Sequence, residues 1–457
     1  MITGISVTST GVNDTTDLTQ VGQSKDFTGL ATVTIGAGTG AQTLLSGSIS
    51  TSGNQAYASG VTLEGNGDLI STGGNLAFDA TVDGGFQLVL SANTTTFGGA
   101  VGGTAAIASL ASNAKTTDLN GGSVHTSGVQ NYSQAVVLTA DTTLTSDTGS
   151  LNFFSTVDSA VNGPFSLTAN ASLAVLFIGP VGQATPLASL TTAGAGTTTI
   201  DVSVATTGNQ VYQQAVLLGG NVTITTQGGN VTFAETVDAV SNEGQVGKPA
   251  ALTVNSTGSG TAASAGQTLF AGDVGAKVAL TTLSVTTGGP FTLSHHVITT
   301  GNVLIAVVAS PPSPGDSLTI ASGGSISTKG AIELRAGGDL DINAGSNLSA
   351  ASVTLRGDFN NTAAQNAILL AGNIQSPTIA VFVGDGNGTV NVAKTLANTS
   401  TIINGGAGTD TYNLSSAAPA SGGVLSTVAG AITINGGTGS NTLVLGDAGD
   451  ATGLAGT

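Results

Sequence analysis

The chain has 457 residues, 69 of them glycine; 40% are hydrophobic and only 7% charged. Its net charge of −17, from 25 acidic and 8 basic residues, excludes the clustered cations that nucleic-acid phosphates require. It has no cysteine, which rules out disulfide staples and thiolate metal sites, and its apolar content is too high for a disordered chain.

Small β-formers punctuated by turn residues favour many short strands. The start, Met1 to Ile5, lacks the basic and apolar regions of a secretory signal and reads as an excised segment or a processed chain. No apolar run approaches the ~20 residues that span a bilayer. Gly453 to Thr457 is no membrane anchor either. Residues 1–50 read as lead-in coils, with Phe27 and Leu45 standing in for the aromatic that follows.

From residue 57 one phrase recurs: an aromatic, three residues, then valine. It begins at Tyr57, Phe78, Phe97, Tyr132, Phe153, Phe177, Tyr212, Phe233 and Phe270. It closes at Val61, Val82, Val101, Val136, Val157, Val181, Val216, Val237 and Val274. Each set of three opens on Tyr. A longer phrase leads each set: Thr51-Ser52-Gly53-Asn54-Gln55-Ala56-Tyr57, with copies starting at Thr126 and Thr206. A decayed fourth copy starts at Thr299, where Ile305 replaces the tyrosine. The spacings are 75, 80 and 93 residues. Inside each set the aromatics lie 19 to 24 residues apart, except the 37 between Phe233 and Phe270. The surplus falls in Ser241–Lys248 and Ser256–Gly266.

An inner period of about 20 residues matches one coil of a parallel β-helix, with insertions as loops. A string of immunoglobulin-like sandwiches would also suit ~80-residue units, but it has no reason to repeat at the inner spacing, and tryptophan and cysteine are absent. The predicted fold is an all-β, elongated right-handed parallel β-helix (solenoid) with coils of about 20 residues. Roughly 23 coils at ~4.8 Å each would give a rod of about 110 Å.

The predicted organisation is 1–50 as lead-in, 51–300 as regular array, 301–400 as irregular continuation and 401–457 as a Gly-rich, β-roll-like segment. Ser310–Gly315, with three prolines, breaks the pattern. Beyond it, Ala331-Ile332-Glu333-Leu334-Arg335 and Ser352-Val353-Thr354-Leu355-Arg356 alternate as strands do. After Val274 the aromatic phrase disappears. The last third must stack by other side chains, and specific binding chemistry is expected there.

The repeat phrases, including Thr268-Leu269-Phe270-Ala271-Gly272-Asp273-Val274-Gly275 and Thr81-Val82-Asp83, resemble those of large bacterial surface proteins of the filamentous-haemagglutinin type. The resemblance covers about residues 51–300. It implies secretion, a right-handed parallel β-helix and a role in attachment or an extracellular matrix. The N-terminal secretion domain of that family is absent from this sequence.

Candidate chemistry is sparse. Gly405-Gly406-Ala407-Gly408-Thr409-Asp410 and Gly436-Gly437-Thr438-Gly439-Ser440-Asn441 follow the calcium β-roll nonapeptide, and Gly384-Asp385-Gly386-Asn387-Gly388 is a looser relative. Asp410, Asn441 and Asp385 are therefore the candidate calcium ligands. The two full copies begin at Gly405 and Gly436 rather than in tandem, so consecutive-turn ligands are expected to be missing, and a plain Gly-rich turn is favoured. Asp83, Asp158 and Asp238 recur with the repeat; they read as turn residues, because an active site breaks a repeat once. Three histidines (His125, His295, His296) give neither a zinc site nor a catalytic triad setting. Thr94–Thr96 and Thr197–Thr199 could line up as hydroxyl ladders, though β-propensity explains them as well.

These readings predict a non-enzymatic extracellular stalk, fibre or adhesin segment, self-associating end to end or meeting a surface glycan or protein. No catalytic residue and no obligate cofactor is predicted. The alternatives are a β-helical polysaccharide lyase or hydrolase and an ice- or glycan-binding solenoid. An enzyme would need three or more non-repeating charged residues within ~8 Å in a lateral groove, and none is expected.

Overall fold

A computed structural model of the chain describes residues 4–8, 12–19, 27–240, 250–258, 266–308, 316–359, 365–420 and 422–449. The loop Ser241–Lys248, the middle of Ser256–Gly266, the Pro-rich break Ser310–Gly315 and both extreme ends lie outside these residues, as does the Phe27 side chain. Among the described residues there are strands and turns but no α-helix, and every strand pairing is parallel. None could therefore supply a helix long and apolar enough to cross a membrane. The chain is a β-solenoid of about 16 turns at ~22-residue spacing, which agrees with the predicted coils of about 20 residues, though with fewer turns than the 23 expected.

Two compact units share the chain, Met1–Leu217 and Leu218–Thr457. The division falls inside the regular array. In the first unit each coil contributes strands to three faces. Alternation along each strand sends every second side chain inward. Thr116–Leu119, Ser123–Thr126 and Ala135–Leu138 all run half-buried, buried, half-buried, buried.

The aromatic phrase marks coils, as its spacing predicted. On one face Tyr57, Phe78 and Phe97 occupy one register, with ring centroids 5.3 and 5.4 Å apart and planes within 12°. Tyr132, Phe153 and Phe177 stack likewise at 5.2 and 5.0 Å. The closing valines form their own ladder on the next face: Val61, Val82, Val101, then Val124.

The two stacks do not share a face. The ladder from Tyr57 continues through Phe97 to Leu119 and Leu138. Tyr132 pairs instead with Ser112, on the face that precedes Leu138 in the chain. Four full coils from Tyr57 end at Leu138, so the first long repeat falls one face short of four coils. Tyr212 has moved again, onto the register of Thr192. The aromatic stripe thus steps around the core by one face per repeat. Each face carries its bulky rings over a few coils only, and smaller residues fill the same register above and below them.

In the second unit Phe233 and Phe270 stack at 5.0 Å, and Phe291 then turns edge-on at 71°. Beyond that point aliphatic ladders take over. Leu318, Leu340, Ile368 and Val390 line one face. Ile305, Leu334, Leu355, Val381 and Ile403 line another, and Val297, Ile326, Leu348 and Ile374 a third. The last third does stack by other side chains.

Candidate functional site

The recurring polar residues are occupied in holding coils together. Thr51, Gln55 and Tyr57 form a buried corner: Gln55 Nε2 donates to Ile49 O (3.1 Å), Ile70 O (2.9 Å) and Thr51 Oγ1 (3.3 Å). The Tyr57 hydroxyl donates to Gln55 Oε1 at 2.9 Å. Thr126, Gln130 and Tyr132 repeat the arrangement, as do Thr206, Gln210 and Tyr212, where the hydroxyl bond is 2.7 Å. This is why each triplet opens on tyrosine: the buried hydroxyl needs an acceptor, and only this rung has a glutamine two residues earlier. Sequence reasoning missed the glutamine. The signal was present, because the fourth copy loses both together, with Val303 and Ile305 in their places. Burial pushes the phenol ionisation of all three tyrosines far up.

Asp83, Asp158 and Asp238 share a second task. Asp83 Oδ1 accepts the backbone N–H of Thr104 (2.8 Å) and Ala105 (3.2 Å). Asp158 does the same for Ala184 and Thr185, and Asp238 for Lys277 and Val278. Each clamps the loop that follows a phrase valine one coil on. Within those loops Gly102, Gly182 and Gly275 have φ of 67°, 68° and 72°. A Cβ there would strike the carbonyl oxygen of His125, Ala205 or Ile298, so glycine is required.

The threonine runs do not make flat hydroxyl faces. Thr95 and Thr198, the middle residues, point into the core, and Thr198 bonds Thr192 and Gln214. Outward, Thr96 sits between Ala77 and Asp118. The histidines are scattered. His125 Nε2 lies 3.0 Å from Asp147, and His296 Nδ1 lies 2.7 Å from its cross-strand neighbour Ser325.

The Gly-rich motifs correct one expectation. Motif positions 22 and 31 residues apart do lie on consecutive turns, because one coil here is that long. A Cβ on Gly406 would meet Gly384 O, and one on Gly437 would meet Gly406 O. Ala407 bridges Thr438. All three stacked glycines have positive φ (103°, 93° and 76°). The side chains stack too: Asp410 Oδ1 accepts Gly388 N–H at 2.9 Å, and Asn441 Oδ1 accepts Asp410 N–H at 2.9 Å. Asp410 is fully buried, and its Oδ2 accepts the Tyr412 hydroxyl at 3.2 Å. Burial and this carboxylate push the Tyr412 hydroxyl up to about 12. Asp385 and Asn441 are exposed. Among the described residues no group of three or more His, Asp or Glu is placed to hold a metal ion.

One cluster outside the repeats stands apart. The alternating strands Ala331–Arg335 and Ser352–Arg356 pair in register, so Arg335 and Arg356, the chain's two arginines, are cross-strand neighbours on an outward face. Phe382 and Asn404 continue that column over the next two coils. Glu333 Oε1 accepts Arg335 Nε at 2.8 Å and Arg356 Nε at 3.1 Å. The Arg335 hydrogen bond, supported by Arg356, holds the Glu333 carboxyl below the usual carboxylate range. The Arg335 guanidinium lies 4.6 Å over the Phe359 ring, and that of Arg356 lies 4.1 Å over Phe382. Beside them is a groove of about 280 Å³, lined by Arg356, Phe359, Phe382, Asp385 and Asn404. Three non-repeating charged residues in contact contradict the expectation of none. Their spacing was legible: both arginines end alternating segments one coil apart.

Compared with family models, curated proteins and solved structures, the chain matches none of them.

Proposed function

We propose that this chain is a non-enzymatic, extracellular structural and adhesive segment, a stalk or fibre portion of a large bacterial surface protein of the filamentous-haemagglutinin type. The observation that carries the reading is the identical work of Asp83, Asp158 and Asp238. Each carboxylate holds two backbone amides of the next coil, so the only ordered acids in the repeat serve scaffolding. A chain that spends its recurring polar residues on its own coils presents a surface rather than a reaction centre.

The test has two arms. Beads coated with the chain should adhere to bacterial or host cell surfaces, whereas beads coated with an unrelated acidic protein should not. Incubation with a panel of surface polysaccharides should release neither reducing ends nor unsaturated sugars. Release of either product would replace this reading with the lyase or hydrolase alternative.

End-to-end association is the second reading. The last described strand, Thr442–Leu445, stacks on the core strand Thr411–Leu414, yet leaves Leu443 53% and Leu445 58% exposed. Exposed apolar ladder positions favour pairing with further strands. Concentration-dependent sedimentation, suppressed in Leu443→Asp/Leu445→Asp, would support it; a monomer at all concentrations would remove it. Calcium is kept as a test of Asp410, Asn441 and Asp385. Both Asp410 oxygens accept hydrogen bonds, which supports closure without a cation, so added calcium should leave the melting temperature unchanged.

A further inference from the structure

We propose that the groove at Arg356, Phe359, Phe382, Asp385 and Asn404 binds a neutral saccharide of one or two rings. The proposal deepens the adhesive reading and rests on it for biological context, but not for its chemistry.

The groove joins two aromatic rings, a guanidinium, two carboxylates and a carboxamide over neighbouring coils. The Phe359 ring is 37% exposed although it carries no core role. Asp358, which precedes it, adopts φ of 41°, a left-handed conformation for a non-glycine residue. Such backbone is costly, and it concentrates at functional positions. Here it sets the turn that delivers Phe359 to the rim. The corresponding corner positions one and two coils on are Gly384 and Gly406, which line the floor without side chains.

The guanidinium is oriented in advance. Glu333 holds Arg356 through Nε and Phe382 supports its plane, so its terminal amino groups carry no hydrogen bond among the described residues. A fixed fork of donors loses little entropy on binding. Asp385 adds an exposed carboxylate, and Asn404, whose Oδ1 accepts Asn435 Nδ2 and whose Nδ2 donates to Val381 O, keeps one N–H and one lone pair. Planar groups of these three kinds together suit vicinal hydroxyls, each of which donates and accepts. The ring area that the two guanidiniums leave uncovered supplies apolar contact for the C–H face of a pyranose.

Charge selects the class. Arg335 and Arg356 share the single carboxylate of Glu333, and Asp358 and Asp385 line the groove beside Arg356. An anionic sugar would meet the carboxylates of Asp358 and Asp385, and a cationic ligand would meet Arg356. A neutral polyol meets neither penalty. The volume of about 280 Å³ sits at the small end of ligand pockets, which run roughly 300–1,000 Å³. That favours one or two rings over a long oligosaccharide.

The experiment is saturation-transfer NMR and titration of the full chain against three probe sets: neutral mono- and disaccharides, uronate-containing disaccharides and sulfated disaccharides. The expected result is binding of at least one neutral probe with little response from the charged ones. Phe382→Leu and Asp385→Asn should each weaken that binding at least tenfold while the melting temperature stays within error. Phe154→Ala, an exposed aromatic in the first unit, should leave binding unchanged. Stronger binding of uronate or sulfated probes, equal binding by the groove variants, or no response to any probe each overturns the proposal. Cell-surface adhesion retained by Phe382→Leu and Asp385→Asn would overturn the groove as the adhesive element and leave the stalk reading standing. Loss of adhesion by the wild-type chain with saccharide binding intact would do the reverse.

Discussion

The first unit and the last third of the chain solve the same packing problem with different use of aromatics. In the first unit the repeated Phe and Tyr stack inside, and the exposed Phe86 and Phe154 lie outside the repeated phrase. In residues 316–449 Ile, Leu and Val fill most of the core, with Tyr412 the buried aromatic, and Phe359 and Phe382 go outside to meet arginine. A solenoid core only requires inward registers of matching volume. Where aliphatics satisfy that requirement, aromatics are released for the surface. The repeat therefore marks the scaffold, and its disappearance marks where Phe359 and Phe382 meet the two arginines.

The largest effect should come from breaking an aromatic stack. Phe153 lies between Tyr132 and Phe177, so Phe153→Ala should cost about 3–5 kcal/mol. Leu355→Ala, at an equally buried rung of an aliphatic ladder, should cost about 2–5 kcal/mol and fall below Phe153→Ala. Denaturant midpoints of the two variants test the ranking. Equal losses would mean that the stacked rings add nothing beyond their buried area.

Gly182→Ala should be next. The left-handed backbone alone adds about 1–3 kcal/mol for a residue with a Cβ, and the collision with Ala205 O comes on top. Gly422, beside which a Cβ meets nothing within 4 Å, is the control: Gly422→Ala should be close to neutral by thermal melting.

Tyr132→Phe should cost about 1–3 kcal/mol, because Gln130 Oε1 is left buried without its donor. Gln130→Leu in the same chain should recover part of that loss by removing the stranded acceptor. Additive losses would show that the pair does not act as a unit.

Alkaline pH separates the two regions further. The buried tyrosines stay neutral when folded, whereas an unfolded chain ionises them near about 10. Their contribution is intact below that pH and is lost as pH rises toward their folded values. Three of these tyrosines lie in the first unit, and Tyr412 alone in the second. Tyrosinate absorbance should rise cooperatively with loss of β-structure, and it should rise first from residues of the first unit. Gradual titration with the fold intact would count against the buried hydroxyl network.

The smallest effect belongs to Glu333. Its depressed ionisation adds stability above about pH 4.3, and that stability fades as pH falls through the folded value. The group is part-buried and reached by solvent, so the gain is small. The melting-temperature difference between wild type and Glu333→Gln should vanish at low pH; a difference that persists there would assign the effect to packing.

Much of the scaffold was legible. Tyr57, Phe78 and Phe97 mark coils because stacked rungs need like residues at like intervals. The role of Asp83, Asp158 and Asp238 was legible because a residue that recurs with the repeat serves the repeat. The groove was not, since Arg356, Phe382 and Asn404 are separated by a coil each and follow no phrase. The Gly-rich motifs were misjudged for a related reason: the 31 residues from Asp410 to Asn441 look distant along the chain but are one turn of a wide coil.

By itself, the sequence determined a coiled all-β chain, its inner period and the residues that repeat, because periodic burial leaves a periodic pattern. Only the tertiary structure decided which face each triplet occupies. That depends on where the corners fall, and a repeat one face short of four coils looks the same on paper as one that closes. The tertiary structure also decided that two arginines and two phenylalanines meet, because parallel stacking turns equal register into contact whatever the residues are.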